Sequence, residues 1–213
     1  MKPESVRRGL GLIESAFWMP EKAAAIATQI GHVPSPFVEV VSSVPNVAAS
    51  FALKGADVGY VSWHEDQLVF VGHVFEAVRH VHASAGGDPA QLRFGVVPCK
   101  LRLDVSSVVE PGFAELAWSE DGLRRLPWVE QVQFLKELAR SSSRWVAFGM
   151  RDALTSVIDA GLIRSVLDPL DVAMSREDAV GLGEKAGLAL VASVPCKDGC
   201  IVFLFEKIQG KVA

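Results

Sequence analysis

Cysteine is scarce in this 213-residue chain, where Cys99, Cys196 and Cys200 are the three present. An odd, unevenly spaced set makes no disulfide framework, and a reducing cytoplasm is the simplest compartment for it. Cys196 and Cys200 flank a turn as Cys-x3-Cys rather than the Cys-x2-Cys of zinc knuckles, and read as small buried side chains. Long apolar runs are also missing. None reaches the roughly 18 residues that a membrane span needs, and Pro20, Glu21 and Lys22 break the N-terminal stretch too soon for a secretory signal. There is no excess of positive charge: 21 basic against 25 acidic side chains give −4, spread evenly along the chain. Direct contact with a nucleic-acid backbone is therefore not expected. Neither Gly-x4-Gly-Lys-Ser/Thr nor Gly-x-Ser-x-Gly occurs, which argues against a P-loop and a hydrolase nucleophile elbow. Gly9-Leu10-Gly11 opens a strand and Gly181-Leu182-Gly183 lies inside a helix. A dinucleotide fingerprint needs its glycines in the turn after the first strand.

What is present is a chain that is 50% hydrophobic, enough to bury a sizeable core, with alternating helix and strand patterns. Leu10–Ile13 reads as a strand, and Pro20 and Glu21 open a helix that Gly31 closes. Phe37–Val41 is a strand, Pro45-Asn46 starts a helix closed by Gly55, and Val58–Trp63 is the next strand. Leu68–Val71 reads as a strand returning antiparallel, followed by a helix from His73 to about His82 and a strand at Leu92–Val97. Later, Trp145–Phe148 and Ile163–Leu167 read as strands on either side of a helix, Arg151–Ala160. Ser175 with Asp178 caps another helix that ends at Gly187, and Leu188–Val194 and Ile201–Phe205 form a closing hairpin.

The helix-stop glycines at 31 and 161, and at 55 and 187, are nearly equally spaced. This predicts an α/β fold made of two similar βαβαββ runs, a pseudo-duplicated mixed sheet with helices on its faces. The expected division is a first copy at 1–98, a linking segment at 99–143 with an amphipathic helix from about Trp128 to Arg140, and a second copy at 144–213.

Chemistry is thinly signalled. His73, Glu76 and His80 share one helical face at i, i+3 and i+7, a spacing that suits zinc or iron ligands. Without a fourth partner it reads more simply as a solvated stripe. Asp57, Asp168 and Asp171 fall near predicted strand ends, where α/β enzymes place carboxylates and where turn-forming aspartates are equally at home. The five tryptophans are scattered and read as core or interface.

Two family resemblances bear on function. Ala52-Leu53-Lys54-Gly55-Ala56-Asp57-Val58 resembles the helix-to-strand signature of bacterial-microcompartment shell proteins, and Leu10–Ser15, Gly72–Val78 and Val96–Pro98 are similar to other elements of that family. Ser50 stands where the family commonly has aspartate. The resemblance implies a non-catalytic, self-assembling homo-oligomer, a trimer mimicking a hexamer, with Lys54 at the assembly edge and no cofactor. Residues 129–206 resemble the C-terminal domain of release-factor and kink-turn-binding ribosomal proteins, which implies a ribosome- or RNA-associated module. The residues themselves leave a third reading open, a small-molecule α/β enzyme with its site at strand carboxyl ends. The expectation carried forward is the scaffold, cytoplasmic and without a membrane partner.

Overall fold

The computed structural model describes residues 20–42, 45–100, 103–120, 122–123, 126–151, 175–197 and 199–208. Seven strands form one sheet: β1 (Phe37–Val40), β2 (Asp57–Ser62), β3 (Arg93–Pro98), β4 (Ala114–Ser119), β5 (Ser142–Arg151), β6 (Leu188–Pro195) and β7 (Cys200–Lys207). Their order across the sheet is β3-β2-β1-β4-β5-β7-β6. The first five run parallel, and β7 is antiparallel to both of its neighbours. The five described α-helices are α1 (Pro20–Ile30), α2 (Asn46–Ala52), α3 (Glu65–Ser84), α4 (Trp128–Ser141) and α5 (Arg176–Lys185).

Helices cover both faces. Ala23 and Ile26 of α1, Val47 and Phe51 of α2, and Val71 and Phe75 of α3 join Phe37, Tyr60 and Trp118 in one core layer. Phe134, Leu135 and Leu138 of α4 and Ala179 and Leu182 of α5 join Val38, Val40, Val146 and Phe205 in the other. Burial on two faces is why β1 reads as a nearly unbroken apolar run, as central parallel strands do. All four of its residues are buried.

The α/β class and the mixed sheet with helices on its faces are as expected; the described strands do not confirm the duplication. The single sheet draws β1–β3 from the first stretch, β4 from the segment expected to link two copies, and β5–β7 from the last. The front strands are all parallel, whereas the rear ends in an antiparallel hairpin. Leu68–Val71 is not a returning strand: it lies in α3, where Val71, Phe75 and Val78 are the buried residues at helical spacing. Val69 and Phe70 of the same apolar run face outward. The acidic pair Glu65-Asp66 opens α3 against the positive end of its dipole. Ser175 caps α5 as expected, its hydroxyl accepting from the Asp178 N–H at 3.1 Å. The elements expected at Leu10–Ile13, Arg151–Ala160 and Ile163–Leu167 lie outside the described residues, Arg151 apart.

Candidate functional site

From β1 the chain moves outward to β2 and β3, then returns to the opposite side of β1 as β4. The carboxyl ends of β1 and β4 therefore flank the point where strand order reverses, and open α/β sheets leave a crevice there. Four polar side chains gather at this point.

Glu39 lies on β1, paired in register with Tyr60 on one side and Trp118 on the other. Side chains alternate along a strand, so Glu39 shares the face of Phe37 and enters an otherwise apolar layer. It is fully buried. Its Oε2 accepts the Ala48 N–H in the first turn of α2 at 2.7 Å, and Oε1 has no hydrogen-bond partner among the described residues. Desolvation pushes its carboxyl up to about 8 from 4.5, with a smaller upward push from Glu120. The nearby Ser42 hydroxyl, the Ala48 N–H and the Trp118 indole pull the other way and lose. At neutral pH Glu39 thus holds its proton.

Glu120, directly after β4, is ion-paired with Lys22 of α1. Lys22 is 2% exposed and Glu120 22%, so the carboxylate is the member that reaches solvent. Because α1 runs antiparallel to the strand it precedes, its first turn arrives at the carboxyl end of the sheet; Glu21 Oε1 there accepts the Lys197 N–H of the β6–β7 turn at 3.3 Å. Ser42 ties the two strands together. Its Oγ accepts the Glu120 N–H at 3.2 Å, its N–H meets the Tyr60 hydroxyl at 3.2 Å, and its carbonyl accepts from Tyr60 and from Gln67 Nε2. The cluster thus sets a carboxyl that burial keeps protonated behind one that is paired with a buried lysine. A carboxyl held protonated by burial beside a second, partly exposed carboxyl is an arrangement that acid–base chemistry can use.

The expected site residues do not gather here. Asp57 is at the amino end of β2, not a carboxyl end, and faces Arg93 in an exposed ion pair. His73, Glu76 and His80 lie on the exposed side of α3, where Glu76 is engaged by Arg79. Among the described residues no three His, Cys, Asp or Glu side chains come together to hold a metal. Lys54 is exposed in the α2–β2 turn. Asp168 and Asp171 lie outside the described residues. Cys99, Cys196 and Cys200 are buried and not disulfide-linked. Sequence reasoning passes over Glu39, Lys22 and Glu120. The available signal is Glu39 itself, the lone charge in the apolar run Phe37–Val41.

A separate groove of about 720 Å³ lies over the β1–β3 side of the sheet, lined by Val38, Gly59, Gly95, Val97, Val108 and Phe113 among others. Asp57 and Arg93, at the amino ends of β2 and β3, also line it, and none of the four cluster residues does. Among the described residues no helix is long and apolar enough to cross a membrane.

No family model and no curated protein matches this sequence. Solved structures do resemble its fold. A magnesium protoporphyrin IX methyltransferase from Synechocystis with bound SAH superposes with a TM-score of 0.65 at 14% identity, covering 88% of this chain and 81% of that one. A SAM-dependent methyltransferase from Aquifex aeolicus does so with a TM-score of 0.65 at 12% identity, covering 98% and 100%. The pyocyanin biosynthetic protein PhzM reaches 0.64 at 13%, covering 97% of this chain and 59% of that one. These neighbours overturn both the shell-protein and the ribosomal resemblance, and with them the expectation of a non-catalytic scaffold. The short motifs behind those readings are ordinary βα grammar: a helix stopped by Gly55, whose φ is +87°, then a strand. The chain has the fold of SAM-dependent methyltransferases.

Proposed function

We propose that this chain is an α/β enzyme acting on a small molecule at the carboxyl ends of β1 and β4. The observation that carries the reading is the Glu39, Glu120 and Lys22 cluster at the reversal of strand order. The methyltransferase neighbours support an enzyme over a scaffold, since their fold is a common carrier of small-molecule chemistry. Glu120 is the group that meets the ligand, as the partly exposed carboxylate, and accepts a hydrogen bond or proton from a ligand amine or hydroxyl. Lys22 holds the Glu120 carboxyl in place through their ion pair. Glu39 fixes the first turn of α2 through the Ala48 N–H and supplies a neutral wall behind Glu120.

The test is thermal stabilisation of the full chain by a panel of small amines and phenols, run in parallel on Glu120→Gln and on Arg93→Gln in the groove. Stabilisation kept by Arg93→Gln and lost by Glu120→Gln is expected. If no compound stabilises the protein, or Glu120→Gln responds as the parent does, the reading fails.

A further inference from the structure

We infer that this chain, although folded like SAM-dependent methyltransferases, does not accept S-adenosylmethionine or S-adenosylhomocysteine at its strand ends. An adenosine cofactor at such a switch point makes two demands on the protein. The turn after the first strand must let its backbone come close to the ligand, which is why glycines serve there. An acid about 20 residues further on, at the end of the next strand, must accept the ribose hydroxyls.

The first demand is unmet in sequence and in geometry. No glycine occurs between Gly31 and Gly55, so the turn after β1 reads Val41-Ser42-Ser43-Val44-Pro45. Val41 nevertheless has φ 47°, a left-handed backbone that glycine adopts freely and a β-branched residue does not. Val41 thus keeps a glycine-type backbone with a side chain on it. That side chain packs inward, 6% exposed, in the core beneath α4. The backbone groups of the next residue are spent within the chain. Ser42 is fully buried; its N–H goes to Tyr60, and its carbonyl accepts from Tyr60 and from Gln67, using both lone pairs. At the start of α2, Pro45 has no N–H to offer, and the Ala48 N–H is held by Glu39.

The second demand fails in the same way. Ser62 closes β2 where the acid would stand. It is fully buried, donates to Gln67 Oε1 at 2.6 Å and accepts the His64 N–H at 3.0 Å. The next acids, Glu65 and Asp66, are exposed on the first turn of α3. Tyr60, Gln67 and the two serines together make a hydrogen-bonded plug at the ends of β1 and β2, and a serine stands where the carboxylate would be needed.

The experiment is isothermal titration of the full-length protein with S-adenosylmethionine and, separately, S-adenosylhomocysteine, each carried to about 1 mM, beside a near-ultraviolet circular dichroism spectrum and a thermal melt of the same sample. A cooperative melt with no saturable heat for either compound is expected. Saturable binding of either with Kd tighter than about 100 μM, near −5.5 kcal/mol, overturns the inference. A non-cooperative melt is followed by the same titration on Gly181→Ala, a surface helix variant that leaves the site untouched, and its outcome decides in the same way. This question is independent of the acid–base reading. Cofactor binding would sink the plug and leave a Glu120-dependent ligand possible, whereas a failed amine and phenol panel would sink that reading and leave the plug standing.

Discussion

Replacing Glu39 by glutamine gives the sharpest test of the electrostatics at the centre of the sheet. The carboxyl rises from 4.5 to about 8 on folding, so between those values the folded state holds a proton that the unfolded state has released. Stability therefore falls as pH rises through that window, and is greatest below about 4.5 as far as this group is concerned. At about 1.4 kcal/mol per unit, the full window is worth on the order of 5 kcal/mol, and the portion between pH 5 and pH 7.5 about 3 kcal/mol. Glutamine keeps an oxygen for the Ala48 N–H and cannot ionise. Chemical unfolding at closely spaced pH values should show the parent losing about 3 kcal/mol from pH 5 to 7.5 and Glu39→Gln losing much less. The two curves should cross or converge at low pH, where the parent is protonated anyway. Parallel curves of equal slope would refute the reasoning, because the pH dependence would then belong to other groups.

Further outcomes follow from packing. On α5, Gly183→Ala would set a Cβ 2.3 Å from Phe205 Cε1, a ring that is fully buried and cannot swing away; a loss of about 1–3 kcal/mol is expected in urea unfolding. Gly181, two residues earlier, has open space where a methyl group would project, so Gly181→Ala should raise stability by about 0.5–1 kcal/mol in the same assay. Val41→Gly trades about 1.5–2 kcal/mol of apolar burial against relief of about 1–2 kcal/mol of left-handed strain. It should come out within about 1 kcal/mol of the parent, and a loss of about 2 kcal/mol or more would show the strain to be absent. Gly122→Ala meets Ser119 Oγ at 2.5 Å and Phe134 Cζ at 2.6 Å and should lower the melting temperature by several degrees.

Much of the fold is legible in local pattern. Pro20 and Glu21 opening α1, Ser175 capping α5, and the hairpin around Cys196–Gly199 all depend on neighbouring residues alone. β4 escapes because Ala-Glu-Leu-Ala-Trp-Ser has no strand propensity to speak of; it is a strand because β1 and β5 hold it from both sides. Leu68–Val71 misleads because four apolar residues carry no period, and only Val71 with Phe75 and Val78 exposes the helix. The near-equal glycine spacing is a local signal, and strand order is a long-range property that such spacing does not encode. The site is hidden for the same reason. Lys22, Glu39, Ser42 and Glu120 are drawn together from across 98 residues of sequence, and nothing local to any one of them announces the others.

The place of β7 bears on how the molecule is made. It is the last of the seven strands to be synthesised, yet it inserts between β5 and β6, in register with seven residues of each. Among the described strands β6 pairs with β7 alone, and until β7 emerges β5 presents a bare flank without Phe203 and Phe205, whose rings later pack on Phe148. A nascent chain halted before Cys200 would carry that flank exposed to chaperones and to other unfinished copies, and the sheet closes only once β7 has been made.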